Sequence, residues 1–153
     1  MIRELVQQAL DFCTEKNPYL EDRQAVVGML LKDDSWTHSV FRYALAIRIS
    51  QYLGAHYQEL KQVYLVGSTL ENRAKFTSDI DLIIRVESDS KAVVNTLRRV
   101  DNDIMIYYRS LLGDEVKKMY KILDLEFVFF EEEKKLKKIK GWVFHPPLLV
   151  WHQ

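Results

Sequence analysis

Cysteine is nearly absent from this chain: Cys13 stands alone, so no internal disulfide can form. Val6, Ala9 and Leu10 share its apolar helical stripe, which points to a buried thiol rather than a reactive one. Net charge is absent as well. The 22 basic and 22 acidic residues cancel, which argues against a dedicated duplex-DNA binder, whose affinity rests on phosphate neutralisation. It leaves room for a nucleotide site, where a metal supplies the positive charge. No apolar run is long enough to span a bilayer. The opening stretch MIRELVQQAL carries Arg3 and Glu4 and lacks the apolar centre of a signal peptide, so a cytoplasmic protein is expected. There is no internal repeat and no low-complexity linker. Glycine and proline are sparse, at 5 and 3 residues, and each therefore reads as punctuation.

What is present suits one domain with its own core: 153 residues, 48% of them hydrophobic and 12% aromatic. Ile2, Leu5, Val6, Ala9 and Cys13 share one face of a helix over 2–16, broken by Asn17-Pro18. A second helix is expected over 20–32. Asp33-Asp34-Ser35 then offers a turn and an N-cap. The third helix is expected to run to about Tyr52–Leu53 and stop at Gly54. Its stripe Phe41, Leu45, Ile49 and Tyr52 is widened by Val40, Ala44 and Ile47, which implies burial on two sides, as core and not as a base-stacking platform. Strands follow at 62–66, 79–86 and 122–130, where β-branched and aromatic residues concentrate. A short helix is expected after the first strand. A long one, capped by Ser88-Asp89-Ser90, should run to about 112, with a possible break near Asp101–Asp103, and end at Gly113. One more strand is expected at 141–145, before Pro146-Pro147. The fold class is therefore α/β in the α+β sense: a small mixed sheet with helices mainly on one face. The divisions are a helical extension (1–60), a core (61–130) and a tail (131–153).

Two features carry chemistry. Asp79-Ile80-Asp81 lies on a strand, so the two carboxylates share one face while Ile80 points into the core. Paired carboxylates repel and need a cation or solvent. Leu82, Ile83 and Ile84 continue the strand as a buried one, so a hard divalent cation, magnesium or manganese, is the expected answer. Gly67-Ser68 closes the preceding strand. Glycine lets the backbone approach an anion, and amides at a helix start, with the Ser68 hydroxyl, can hold phosphate oxygens.

Residues 64–85, YLVGSTLENRAKFTSDIDLIIR, resemble the signature of the DNA polymerase β-like nucleotidyltransferase superfamily, especially its minimal bacterial and archaeal members. That signature is an apolar strand, Gly-Ser, about ten residues, then Ser-Asp-x-Asp on a second strand. The resemblance implies an enzyme that moves a nucleoside monophosphate from a triphosphate such as ATP to an acceptor hydroxyl with two divalent metals, releasing pyrophosphate. Carried over, Gly67 and Ser68 hold the β- and γ-phosphates, and Asp79 and Asp81 ligate magnesium. A third carboxylate on a later strand completes the metal site and helps deprotonate the acceptor. Asp124 and Glu126 share one face of the third strand, so periodicity does not separate them. Asp124 is preferred because the family's third acid usually enters early on its strand. Minimal members often carry arginine and glycine where Glu71 and Asn72 stand. Asn72 can take the left-handed conformation of that glycine, and Arg73 or Lys75 can replace the lost charge at the nucleotide.

Small members of this family also resemble the antitoxin half of a two-gene bacterial module that pairs with a helical toxin. The alternative function is therefore a binding module that neutralises a helical partner with little catalysis, and a homodimer is a further possible assembly. Other features are read as structural. Asp101-Asn102-Asp103, if helical, points its carboxylates about 200° apart and serves as a cap or surface. The five lysines between Lys134 and Lys140 balance Glu131–Glu133 on a solvated face. His38, His56, His145 and His152 lack zinc-ligand spacing and take surface or packing roles.

Overall fold

A computed structural model describes residues 1–87, 91–129 and 147–153. Three helices come first: α1 (Ile2–Lys16), α2 (Arg23–Leu31) and α3 (Ser35–His56). Strands β1 (Leu60–Val66) and β2 (Ile80–Val86), helix α4 (Lys91–Leu112), a 3₁₀ turn (Gly113–Val116), β3 (Leu123–Phe129) and β4 (Leu148–His152) follow. No helix among the described residues is long and apolar enough to cross a membrane.

Local chemistry sets the helix boundaries. Helix α2 starts at Arg23, later than periodicity alone suggests, because the Asp22 carboxylate accepts from the Ala25 amide and caps it there. Asp34 does the same for α3, accepting from the Thr37 amide and hydroxyl. Gly54 does not stop α3, which continues to His56. A Cβ on Gly54 would fall 2.1 Å from Cζ2 of Trp151, so this glycine makes room for an indole from the last strand. Helix α4 is unbroken through Asp101–Asp103 and ends where Gly113 turns left-handed at φ +61.

The sheet has the order β3-β2-β1-β4, with β2 and β3 parallel and the other two pairs antiparallel. It is mixed, as expected. The fourth strand lies after Pro147, and the strand expected at 141–145 falls outside the described residues. So do the Ser88–Ser90 cap, position 130, His145, and the glutamate and lysine runs. Alternation divides the sheet. Val63, Leu65, Ile80, Leu82, Ile84 and Leu123 face the helices and join one apolar core with Phe41, Leu45, Ile49 and Leu97. Each fully buried Leu or Ile there contributes about 1.5–3 kcal/mol of transfer free energy. Tyr64, Ile83 and Val128 form a smaller cluster on the other face. Helix α3 is buried against both α1 and the sheet, which accounts for its broad apolar stripe. Cys13 is buried in the same core, and desolvation pushes its thiol up to about 12, so it is inert at neutral pH.

Candidate active site

The parallel pairing of β2 and β3 brings the acids together. Asp81 stands opposite Asp124, and Ile83 stands opposite Glu126. Asp79 immediately precedes β2. One oxygen each from Asp79, Asp81 and Asp124 can be chosen so that all three lie within 4.8 Å of one another. Glu126 shares their face but stands one pleat further along, beside the Ile83 cluster, and is not in that group. Val66, the last residue of β1, pairs with Asp81, so Gly67 arrives at the same end of the sheet.

Two neighbouring contacts fix the start of β3. The Ile80 amide donates to the Ile122 carbonyl at 2.6 Å. The Asp101 carboxylate, reaching across from α4, accepts from the amides of Ile122 (2.8 Å) and Leu123 (3.0 Å). Asp101 is therefore neither a helix cap nor simply surface: it secures the strand end that presents Asp124. Sequence pattern gave no signal for this role, nor for Lys121, whose ammonium lies 3.9 Å from the Asp124 carboxylate.

The three acids load one another. Asp81 is pushed up to about 7, chiefly by desolvation, then by a hydrogen bond shared with Asp124 and by the charges of Asp124 and Asp79. Asp79 is also raised, first by desolvation and then by Asp124 and Asp101, while Lys121 pulls the other way. A cluster of oxygen donors that resists full ionisation suits a hard divalent cation, which removes the repulsion and accepts carboxylate ligands. Asp124 is the most open of the three, with a side chain 54% exposed, and can be reached from solvent.

Gly67 has φ +85, and a Cβ there would fall 2.2 Å from an Asp81 carboxylate oxygen. Its lack of a side chain is thus needed by the acid cluster, a role that the sequence reading did not give it. The segment after it is not a helix. Gly67 and Ser68 carbonyls accept from Leu70 and Glu71, and Ser68 accepts again from Arg73, so the chain closes a turn within one cycle. Asn72, at φ 55, supplies the left-handed residue that closes it. Arg73 is ion-paired with Glu71, and Lys75 donates to the Asp33 carbonyl at 3.2 Å, so neither cation stands unengaged over the turn. On the helix side of the turn lies a groove of about 400 Å³ lined in part by Phe12, Trp36, Tyr43 and Thr69.

The remaining histidines follow the structural reading. His38 is fully buried and pushed down to about 4 by desolvation and by the nearby Arg42 charge. His56 bonds its own helix at the Tyr52 carbonyl, and His152 is exposed at the end of β4.

A Gly-Ser turn beside carboxylates on two parallel strands is an arrangement that suits metal-assisted phosphoryl transfer. The chain belongs to the nucleotidyltransferase domain family, whose model matches residues 47–148, more than half of its length. Nucleotidyl transfer is therefore its general role. Among solved structures, a candidate nucleotidyltransferase from Sulfolobus solfataricus is similar at 16% identity, with a TM-score of 0.46, over 78% of this chain and 88% of that one. No curated protein matches the chain.

Proposed function

We propose that this protein transfers a nucleoside monophosphate from a nucleoside triphosphate to an acceptor hydroxyl at Asp79, Asp81 and Asp124, using magnesium or manganese. The observation that carries this reading is the convergence of those three carboxylates at one sheet end, beside Gly67. Bound divalent cations would neutralise the triad and polarise the phosphate oxygens. Asp79 and Asp81 would hold them. Asp124, the exposed member opposite Asp81, takes or orients the acceptor proton. The acceptor oxygen bonds to the α-phosphorus while the bond to the β-phosphate oxygen breaks and pyrophosphate leaves. Gly67 and Ser68 offer backbone amides and a hydroxyl to the departing phosphates. Binding of the triphosphate requires Arg73 to leave Glu71, or Lys75 to leave Asp33, if either is to contact it.

A second reading follows from the Glu71–Arg73 pair, which spends a cation that would otherwise meet phosphate. In that reading the protein keeps the fold, binds a helical partner and catalyses little.

The test is incubation of purified protein with α-labelled triphosphates, Mg²⁺ or Mn²⁺ and a cell extract. A labelled product is expected. Loss of a general base typically costs about 10²–10⁴-fold in rate, so Asp124→Asn should abolish transfer while triphosphate binding persists, and Glu126→Gln should cost much less. The reverse ranking would move the role to Glu126. Binding of a helical protein without any labelled product would favour the second reading.

A further inference from the structure

Arg42 lies in the middle of α3 and is fully buried. A buried guanidinium normally has a carboxylate beside it. Here no ion pair to Arg42 occurs among the described residues. Instead its five N–H groups meet five neutral acceptors. Nε donates to the Ser78 carbonyl at 3.1 Å. One terminal nitrogen donates to His38 Nδ1 (2.9 Å) and to the His38 carbonyl (3.3 Å). The other donates to the Phe76 carbonyl (3.1 Å) and to the Tyr108 hydroxyl (2.8 Å). The Tyr108 hydroxyl in turn donates a hydrogen bond to the same Phe76 carbonyl at 2.8 Å. His38, neutral and accepting at Nδ1, donates from Nε2 to the Leu30 carbonyl at 2.9 Å.

The two carbonyls held by the fork bracket Thr77 in the turn that leads directly into Asp79. From the other side, Asp33 accepts from the Phe76 amide at 2.9 Å. We infer that Arg42 is a positioning residue for the acid cluster: its fork fixes the backbone of 76–78, and with it the place of Asp79. This rests on the reading of the triad as a metal site. Lysine offers three donors from one point and cannot span this set of acceptors, so the arrangement requires the guanidinium and not merely a cation.

The experiment measures Mn²⁺ binding by electron paramagnetic resonance, with a non-hydrolysable triphosphate present, at a temperature where circular dichroism shows each protein folded. Arg42→Lys keeps the charge but loses the fork, and its Mn²⁺ dissociation constant should rise about 10–100-fold, the usual effect of losing support behind a metal ligand. Tyr108→Phe, which removes only the bridging hydroxyl, should raise it by about tenfold. Ser50→Ala removes a buried hydroxyl bonded to the Ala46 carbonyl in the same helix. It should lower stability without moving Mn²⁺ affinity. Wild-type affinity in both Arg42→Lys and Tyr108→Phe would overturn the inference and leave the metal site standing. If Arg42→Lys does not fold, Tyr108→Phe decides alone. Absence of Mn²⁺ binding in the wild type would overturn the triad as a metal site, and the role of Arg42 with it.

Discussion

Replacing Gly67 by alanine tests whether one glycine serves both the backbone and the acid cluster. Two costs follow from the structure. A φ of +85 is a conformation that L side chains rarely adopt, worth about 1–3 kcal/mol of strain. For a domain of this size about 2–4 °C of melting temperature is lost per kcal/mol, so a fall of several degrees is expected. The second cost is local. The new Cβ would lie 2.2 Å from the Asp81 oxygen, over an ångström inside ordinary van der Waals contact of about 3.5 Å. Asp81 must turn away and leave the cluster. At a hundred times the dissociation constant a bound ligand stabilises the fold by about 2.7 kcal/mol. A hundredfold loss of affinity reduces that to about 0.4 kcal/mol. Thermal unfolding with and without Mn²⁺ and a non-hydrolysable triphosphate separates the two costs. Gly28→Ala is the control. Gly28 lies within α2 with nothing within 4 Å of a Cβ, and alanine there should stabilise by up to about 1 kcal/mol. If Gly67→Ala loses several degrees yet keeps the full metal-dependent gain, the claimed crowding of Asp81 is wrong.

Two further outcomes are expected. Gly54→Ala should destabilise the protein by about 1–3 kcal/mol in chemical denaturation, despite alanine's higher helix propensity, because its Cβ meets the Trp151 ring at 2.1 Å. A neutral or stabilising result would show that the indole yields freely. The second concerns pH. Desolvation, with Asp124 and Asp79 close by, pushes Asp81 up to about 7 in the fold from an ordinary carboxylate value of 3.8. The folded state therefore holds more proton between those values, and the contribution of protonated Asp81 to stability is lost as pH rises through 7. A divalent cation must displace that proton below pH 7, so the melting-temperature gain from Mg²⁺ should be larger at pH 8 than at pH 6. Comparing samples with and without Mg²⁺ at each pH cancels the opposite drift from His38, which destabilises as pH falls from 6.5 toward 4. An equal gain at both pH values would argue against ionised Asp81 as a ligand.

The sequence was most informative where one period governs one surface. The Asp79/Asp81 pair was legible because strand alternation alone puts two carboxylates on one face, and α1 because its stripe is clean. Asp124 and Glu126 were inseparable for the same reason: they share parity, and only the parallel register, which depends on β2, places one opposite Asp81 and the other opposite Ile83. Gly54 read as a helix stop because its true neighbour, Trp151, comes from the far end of the chain. The turn after Ser68 read as a helix because neither Asn72 nor the second bond to the Ser68 carbonyl has a periodic signature. Arg42 sat unremarked in an apolar stripe. Its acceptors are mostly backbone carbonyls, which carry no residue identity.

Alternation along β2 has a consequence for how this protein can change. At its start Asp79 and Asp81 answer to chemistry, while Ile80, Leu82 and Ile84 answer to the helix-side core and Ile83 to the small cluster on the opposite face, interleaved residue by residue along one short stretch. A substitution can thus alter one requirement and spare the other. Inserting or deleting one residue cannot. It would exchange the two sets at once, turning Ile80, Leu82 and Ile84 outward and driving carboxylates in among the helices. Divergence within this strand is confined to replacement, and novelty in length must come from the turns at its ends.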